Sequence, residues 1–299
     1  MLNLSVDICG VRLKNPVVTA SGTFASAREY AELTDVSALG AITTKGVAIE
    51  PWEGNPPPRI AETYGGMLNS VGLENAGLDS FLTGDMPFLR TLGTAVIVNI
   101  IGRTVEKYAA VAEALADSGA DLLELNIFCP NVKTQLAIGA DPEAAALFTR
   151  EVKKVAKQPV IVKLSPNVTD ITEIARAVVD AGADGISLIN TMIGMAIDIN
   201  TRQPKLKNRI GGLSGPAIKP IAVRMVNAVS KAVSVPIIGM GGIMTAEDAI
   251  EFIMAGASAV AVGTATFTNP NAANEIIGGI RRFAEENGIK DISEIRGVV

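Results

Sequence analysis

The chain has 299 residues, of which 48% are apolar and 19% are charged. This composition excludes an intrinsically disordered chain and supplies enough apolar side chains for a sizeable core. The net charge of −5 and the pI near 5.0 make nucleic acid and anionic membranes poor partners. Because the chain contains no histidine, histidine-based triads, zinc sites with histidine ligands and imidazole acid–base chemistry are excluded.

The cysteine content and the start of the chain indicate a cytoplasmic protein. Cys9 and Cys129 are far apart and make no disulfide framework, which favours a reducing compartment. The first sixteen residues lack the basic start and the apolar run of a signal peptide. The longest uncharged stretch, Phe252 to Asn274, contains glycine and proline, so we expect no membrane-spanning helix.

The first predicted element is a hairpin from Leu4 to Leu13 that turns at Cys9-Gly10. Eight short apolar runs follow, each ending in a polar residue or a glycine. They are Val17–Ala20, Ala41–Lys45, Ala95–Asn99, Leu122–Asn126, Val160–Lys163, Gly185–Asn190, Pro236–Gly239 and Ala259–Gly263. Nearly continuous apolar runs of this length are typical of parallel strands that are buried on both faces.

Amphipathic helices are predicted between these runs. The stretches from Ile171 to Val179 and from Ile218 to Val229 place apolar residues three and four positions apart. Proline at a first helical position indicates three helix starts, at Pro142, Pro216 and Pro270. Glycines that follow the helices indicate their ends, at Gly40, Gly119, Gly182, Gly256 and Gly288.

Eight strands that alternate with helices predict a single (β/α)8 TIM barrel over residues 1–299. Similar tetrapeptides that begin at Ser118, Ala181 and Ala255 support a repeated unit. The alternative, an open doubly wound sheet, lacks its glycine-rich fingerprint after the first strand. The hairpin is expected to plug the barrel floor. Two long irregular loops, residues 46–77 and 191–215, are expected on the rim.

Polar residues end several predicted strands, where the active sites of barrels are assembled. They include Ser21, Lys45, Asn99, Asn126, Lys163 and Asn190. Two lysines there indicate a polar surface at the barrel mouth that binds a ligand, unless each lysine is paired with a nearby acidic residue. Gly241-Gly242 and Gly263-Thr264 follow the last two strands and predict a phosphate site, unless they only form tight turns.

Cys129 lies just after the fourth strand, between Asn126 and Asn131. A thiol there can be a nucleophile, a base or a metal ligand, but no second cysteine or histidine is near it, which argues against a metal. A free cysteine is often a small buried apolar residue. The rim position of Cys129 weakens that interpretation for this residue, whereas Cys9 is expected to be structural.

Several motifs together resemble one enzyme family. They are Glu53-Gly-Asn-Pro-Pro-Pro-Arg59, Asn69-Ser-Val-Gly-Leu73, Asn126-Ile-Phe-Cys-Pro-Asn-Val-Lys133, Lys163-Leu-Ser-Pro-Asn-Val-Thr-Asp170, Ile189-Asn-Thr191 and Gly211-Gly-Leu-Ser-Gly-Pro-Ala-Ile-Lys-Pro220. In this order along the whole chain, they resemble the dihydroorotate dehydrogenases, and within them the catalytic chains of the NAD-linked class 1B.

The resemblance implies an FMN barrel that oxidises (S)-dihydroorotate to orotate in pyrimidine synthesis, with Cys129 as the base and no metal. Phe128 stands where the family usually has a serine before that cysteine. The FMN-binding residues implied are Ser21, Lys45, Gly46, Asn99, Asn126, Lys163, Ile189, Gly215, Gly241, Gly242, Gly263 and Thr264. The substrate-binding residues implied are Lys45, Asn69, Ser70, Val71, Gly72, Leu73, Asn126, Asn131, Asn190 and Thr191.

The resemblance also implies a partner subunit that carries FAD and a 2Fe–2S cluster and passes electrons to NAD⁺, in a heterotetramer built on a catalytic homodimer. With two cysteines and no nicotinamide fingerprint, this chain lacks the means to carry those steps itself. Three alternatives remain open: a class 1A-type homodimer that uses fumarate, a Schiff-base aldolase or lyase that uses Lys45 or Lys163, and a non-catalytic barrel.

Overall fold

The computed structural model describes residues 2–127 and 138–299, and within them eight parallel strands close into a barrel. The strands follow one another around the barrel in chain order. They are β3 Val17–Thr19, β4 Ala41–Thr43, β7 Ala95–Ile100, β8 Leu122–Asn126, β9 Val160–Leu164, β10 Gly185–Leu188, β15 Ile237–Met240 and β16 Ala259–Val262. Every residue of these strands except Ala95 is buried, which explains why the runs are apolar. The predicted TIM barrel is confirmed.

The hairpin at the start of the chain closes the amino-terminal end of the barrel. Its strands, β1 Val6–Ile8 and β2 Val11–Leu13, pair antiparallel. Ile8 and Leu13 are fully buried and share a cluster with Ala41, Leu122 and Ala259, the first residues of three barrel strands. The expected plug is therefore present at the end of the barrel opposite the strand carboxyl ends.

Helices cover the outside of the barrel. They are α1 Arg28–Ala31, α2 Leu78–Ser80, α3 Met86–Thr91, α4 Val105–Ala114, α5 Pro142–Val155, α6 Ile171–Asp180, α7 Lys219–Ala232, α8 Ala246–Met254, α9 Ala265–Thr268 and α10 Ala272–Glu286. A π-helical turn, Phe81–Asp85, joins α2 to α3, and 3-10 turns cover Val36–Ala38, Pro216–Ile218 and Ile292–Ile295. In the described residues, no helix is both long and apolar enough to cross a membrane.

Local sequence signals explain several helix boundaries. The Asp141 side chain accepts a hydrogen bond from the Glu143 backbone with Pro142 in the first turn, and Thr245 forms a capping box with Asp248. Four of the predicted terminal glycines adopt positive φ angles between 69° and 117°, namely Gly119, Gly182, Gly256 and Gly288.

Three predicted boundaries differ from the structure. Pro216 begins a 3-10 turn, and the helix itself begins at Lys219. Pro270 precedes α10, which begins at Ala272. Gly40 follows a 3-10 turn, and it is required for another reason: a Cβ there would lie 2.2 Å from the Asn15 carbonyl oxygen.

The two long rim segments, expected to be irregular, pair with each other over the described residues in a four-stranded sheet in the order β11-β14-β6-β5. Its strands are β5 Ile60–Thr63, β6 Gly66–Asn69, β11 Met192–Gly194 and β14 Gly211–Ser214, and a small hairpin of β12 Ile197–Asp198 and β13 Gln203–Pro204 extends from it. The central pairing sets Asn69 opposite Gly212, more than a hundred residues away. Because the pairing joins distant segments, local periodicity does not predict it.

Candidate functional site

A cleft opens at the carboxyl ends of the barrel strands, where the loops after β3, β4, β10, β15 and β16 meet the rim sheet. Every residue that the resemblance assigns to FMN lines this cleft. These are Ser21, Lys45, Gly46, Asn99, Asn126, Lys163, Ile189, Gly215, Gly241, Gly242, Gly263 and Thr264. The sequence therefore predicted correctly which residues meet there, although their binding roles stay predictions.

Most of the predicted substrate-binding residues line the same cleft. They are Lys45, Asn69, Val71, Gly72, Leu73, Asn126, Asn190 and Thr191. Ser70 lies outside the lining; its side chain is buried, and its Oγ accepts a hydrogen bond from Asn55 Nδ2 at 3.2 Å. Cys129 and Asn131, with the neighbouring Phe128, lie outside the described residues.

Lys163 forms a buried ion pair at the floor of the cleft. It lies in β9 opposite Asn126 of β8, and its Nζ is 3.6 Å from Glu124 Oε1. The Lys163 side chain is 7% exposed and that of Glu124 is 3% exposed. Lys163 Nζ also donates a hydrogen bond to Ser21 Oγ at 3.3 Å. Lys163 is therefore paired with an acidic residue and also lines the cleft. An ion pair and a ligand-facing position are compatible for this lysine.

Glu124 is a site residue that the sequence analysis missed. Its carboxylate accepts hydrogen bonds from Asn99 Nδ2 at 2.6 Å and from Ser187 Oγ at 2.8 Å. The available signal was a charged residue inside the otherwise apolar run Leu122–Leu125, because an acidic side chain on a buried strand requires partners. With Lys163 of β9, side chains from three strands, β7, β9 and β10, therefore surround one carboxylate of β8.

Three asparagines, Asn99, Asn126 and Asn190, form a hydrogen-bonded series that we call the asparagine row. Asn126 Nδ2 donates to Asn99 Oδ1, and Asn190 Nδ2 donates to Asn126 Oδ1, both at 3.4 Å. The backbone N–H of Thr191 donates to Asn190 Oδ1 at 2.8 Å. Amides with both donors and acceptors suit a ligand whose ring also carries both.

Lys45 supplies a second amine to the cleft, directly after β4. It is half-buried, and its backbone N–H donates to the Ala25 carbonyl oxygen at 3.1 Å. Lys45 and Gly46 also line a neighbouring cavity bounded by Trp52 and Phe81. The Lys45 side chain is thus at the boundary between two cavities.

Three glycines bring the backbone close to one end of the cleft. Gly215, Gly241 and Gly242 have positive φ angles of 105°, 126° and 82°, which L side chains rarely adopt. A Cβ on Gly242 would lie 2.9 Å from both the Gly215 carbonyl oxygen and the Lys219 backbone nitrogen. Nearby, Thr264 Oγ1 donates to Ser214 Oγ at 2.8 Å. Backbone groups so exposed by glycine are suited to hold an anion.

Cys9 lies at the opposite end of the barrel, where a Cβ on Gly185 would be 2.8 Å from its sulfur. Burial, together with the carboxylates of Asp184 and Asp7, raises the pKa of the Cys9 thiol to about 12. This thiol is accordingly inert, in agreement with its expected structural role. In the part of the chain that the structure describes, no group of three or more His, Cys, Asp or Glu side chains is arranged to hold a metal.

Comparison with known proteins gives consistent results. The family model described as dihydroorotate dehydrogenase matches residues 3–283. A relative from Alkaliphilus metalliredigens, named dihydroorotate dehydrogenase B (NAD(+)), catalytic subunit, is 64% identical over 297 residues, 99% of this chain and 98% of its own. A relative of the same name from Lachnoclostridium phytofermentans is 60% identical over the full length of both chains.

A solved structure described as DHODH from Eimeria tenella in complex with ferulenol has a TM-score of 0.82 and 23% identity. The match covers 99% of this chain and 88% of that one. At this identity the likeness supports the barrel fold alone.

Proposed function

The chain belongs to the dihydroorotate dehydrogenase family, and from this we propose that it oxidises (S)-dihydroorotate to orotate, a step in pyrimidine synthesis, as one FMN-binding domain. The single observation that carries the proposal is the cleft itself. It gathers a buried lysine, a second amine, the asparagine row and a glycine-lined end in one cavity at the barrel mouth.

The residues of the cleft fit FMN, on which this family depends. Gly215, Gly241 and Gly242 form a cradle in which a Cβ would lie within 3 Å of a neighbouring atom, which suits a phosphate held by backbone N–H groups. Lys163 places a cation at the floor, and Ile189 adds a buried apolar surface for a planar ring. We propose that Ser21, Lys45, Gly46, Asn99, Asn126, Gly263 and Thr264 complete the FMN site.

The reaction removes a proton from C5 and a hydride from C6 of dihydroorotate. When bound, FMN supplies a hydride acceptor at N5 of its ring. We propose that Cys129 takes the C5 proton; this role rests on the family motif. A cysteine thiol has a reference pKa of ~8.5, so amines near it would favour the thiolate that accepts the proton.

The remaining groups bind and orient the substrate in this proposal. The asparagine row, with Asn69, Asn131 and Thr191, offers amide and hydroxyl groups that match the ring N–H and carbonyl groups of dihydroorotate. Lys45 attracts the substrate carboxylate, and Val71, Gly72 and Leu73 wall that side of the cleft, with Ser70 buried behind them. A ligand that leaves these buried polar groups unmatched is rejected, which gives strict substrate selection.

We further propose a partner subunit that carries FAD and a 2Fe–2S cluster and reduces NAD⁺, in a cytoplasmic heterotetramer built on a homodimer of this chain. The relatives' name, a catalytic subunit of an NAD(+) enzyme, supports a separate partner. A 2Fe–2S cluster requires four ligands such as cysteines, whereas this chain has two cysteines. Exposed apolar side chains after β10, at Met195, Ile197 and Ile199, offer surface for association.

An anaerobic absorbance spectrum tests the proposed reaction. The purified protein is expected to be yellow, and dihydroorotate added without oxygen should bleach it. Orotate serves as the control, because it carries no hydride to donate and should leave the flavin oxidised. A yellow colour that persists with dihydroorotate refutes the substrate assignment, and a colourless protein trapped by borohydride with a carbonyl substrate supports the Schiff-base alternative. A comparison of fumarate with NAD⁺ as oxidant separates class 1A from class 1B behaviour.

A further inference from the structure

The carboxylate of Glu124 is enclosed by groups that can donate hydrogen bonds, and neither the family match nor the motifs assign it a role. Asn99 Nδ2 lies 2.6 Å from Oε1, Ser187 Oγ lies 2.8 Å from Oε2, and Lys163 Nζ lies 3.6 Å from Oε1. With 3% of its side chain exposed, Glu124 has little access to solvent that could replace these partners. We propose that Glu124 is a positioning residue, which orders the asparagine row and balances the charge of Lys163.

The ordering follows from hydrogen-bond chemistry. An ionised carboxylate only accepts hydrogen bonds, so Asn99 must present Nδ2 to Glu124 and Oδ1 to Asn126. Asn126 must then present Nδ2 to Asn99 and Oδ1 to Asn190, which is the arrangement observed. Without an acceptor-only neighbour, an amide can exchange its oxygen and nitrogen by a half-turn.

The lengths of these bonds show where the order is fixed. The bond between Asn99 and Glu124 is 2.6 Å, whereas the two bonds within the row are 3.4 Å. The backbone of Thr191 fixes Asn190 in the same sense at the far end. Because the bonds within the row are long, that far contact constrains Asn99 only weakly, and Asn99 depends on Glu124.

The balance of charge follows from the buried ion pair. Lys163 lines the cleft, and the negative charge of Glu124 lies directly behind its ammonium group. Charges interact strongly in such an enclosed site. If Glu124 were neutral, the uncompensated cation would stabilise the additional negative charge of a reduced flavin, and the flavin potential would rise.

This inference rests on the proposed FMN function. Two variants separate the ordering of the asparagine row from the balance of the Lys163 charge. Glu124→Gln removes the charge but keeps the length. Lys163 can only donate, so it holds the glutamine oxygen toward itself and Asn99, while the amide nitrogen faces the Ser187 hydroxyl, which can accept. Glu124→Asp keeps the charge but withdraws the carboxylate by one methylene, so it cannot reach Asn99 and Ser187 as before. Glu151→Gln is the matched control, because Glu151 pairs with Lys154 on the exposed face of α5.

The readouts are the midpoint potential of bound FMN at pH 7 and the Kd of orotate, measured by the change in the flavin spectrum. Glu124→Gln should raise the potential and leave the Kd within about twofold, and Glu124→Asp should weaken orotate binding about tenfold or more with a smaller shift in potential. Glu151→Gln should match the wild type in both.

A potential in Glu124→Gln equal to that of the control overturns the charge role, and an unchanged Kd in Glu124→Asp overturns the ordering role. Thermal unfolding of each FMN-loaded variant verifies that it is folded, and Glu124→Gln preserves the side-chain shape for that reason. Wild-type flavin that dihydroorotate fails to reduce counts against the proposed function instead, so the two failures are distinguishable.

Discussion

Replacement of Gly242 by alanine tests the glycine cradle. Gly242 has a φ of 82°, and a Cβ there would lie 2.9 Å from the Gly215 carbonyl oxygen and from the Lys219 backbone nitrogen. The backbone on one side of the cradle must therefore move. We expect the substitution to displace the groups proposed to hold the phosphate and to weaken FMN binding while the barrel stays folded.

The magnitude follows from two contributions to the free energy of unfolding. A left-handed backbone costs a non-glycine residue about 1–2 kcal/mol. The steric overlap with backbone atoms adds about 1–3 kcal/mol. For FMN, loss of one hydrogen bond to the charged phosphate costs about 1.5–3 kcal/mol, which raises the Kd about 10- to 150-fold.

Gly10→Ala is the matched control for this prediction. Gly10 has a φ of 85°, and a Cβ there would have no heavy atom within 4 Å, so only the left-handed strain applies. It lies in the hairpin turn at the opposite end of the barrel. Thermal unfolding of the FMN-free proteins and FMN titration by fluorescence quenching give the two quantities. Wild-type FMN affinity in Gly242→Ala would refute the assignment of this end of the cleft to phosphate.

Three further predictions concern the charged and sulfur-containing side chains. Cys129→Ala should retain FMN but lower kcat about 10²–10⁴-fold, as expected on removal of a base, and full turnover would remove Cys129 from the mechanism. Lys163→Ala should lower FMN retention and destabilise the protein by about 3–5 kcal/mol because Glu124 loses its cation; unchanged melting and flavin content would contradict this. Because burial raises the pKa of Cys9 to about 12, the thiol stays protonated below that pH, so iodoacetamide at pH 8 should spare it in the native protein and modify it in urea. Mass spectrometry of the Cys9 peptide checks this, and rapid native labelling would contradict it.

The barrel was predictable from the sequence because its determinants are local. A strand buried on both faces must be apolar throughout, so runs such as Val160–Leu164 are recognisable one at a time. The positions of Lys45, Asn126 and Lys163 then followed from the rule that the carboxyl ends of parallel strands meet at one mouth.

The parts that were missed depend on contacts between distant segments. Strand β6 pairs with β14, and close approach requires Gly66, whose Cβ would lie 2.1 Å from the Ser214 carbonyl oxygen. The sequence of either segment alone does not indicate which strand it pairs with. Glu124 was missed because its importance arises from Asn99 and Ser187 on other strands, which only the closed barrel brings to it.

The pairing of the two rim segments limits how this enzyme can be redesigned. On many barrels, the loops can be exchanged one by one, because each is anchored only to its own strand and helix. Here residues 60–69 and 192–214 share backbone hydrogen bonds across β6 and β14, and the paired strands bring Met67, Asn69 and Ser214 to the cleft. A graft that imports a new specificity must therefore transfer both segments as one unit. Either segment alone would have to pair with a strand from a different protein.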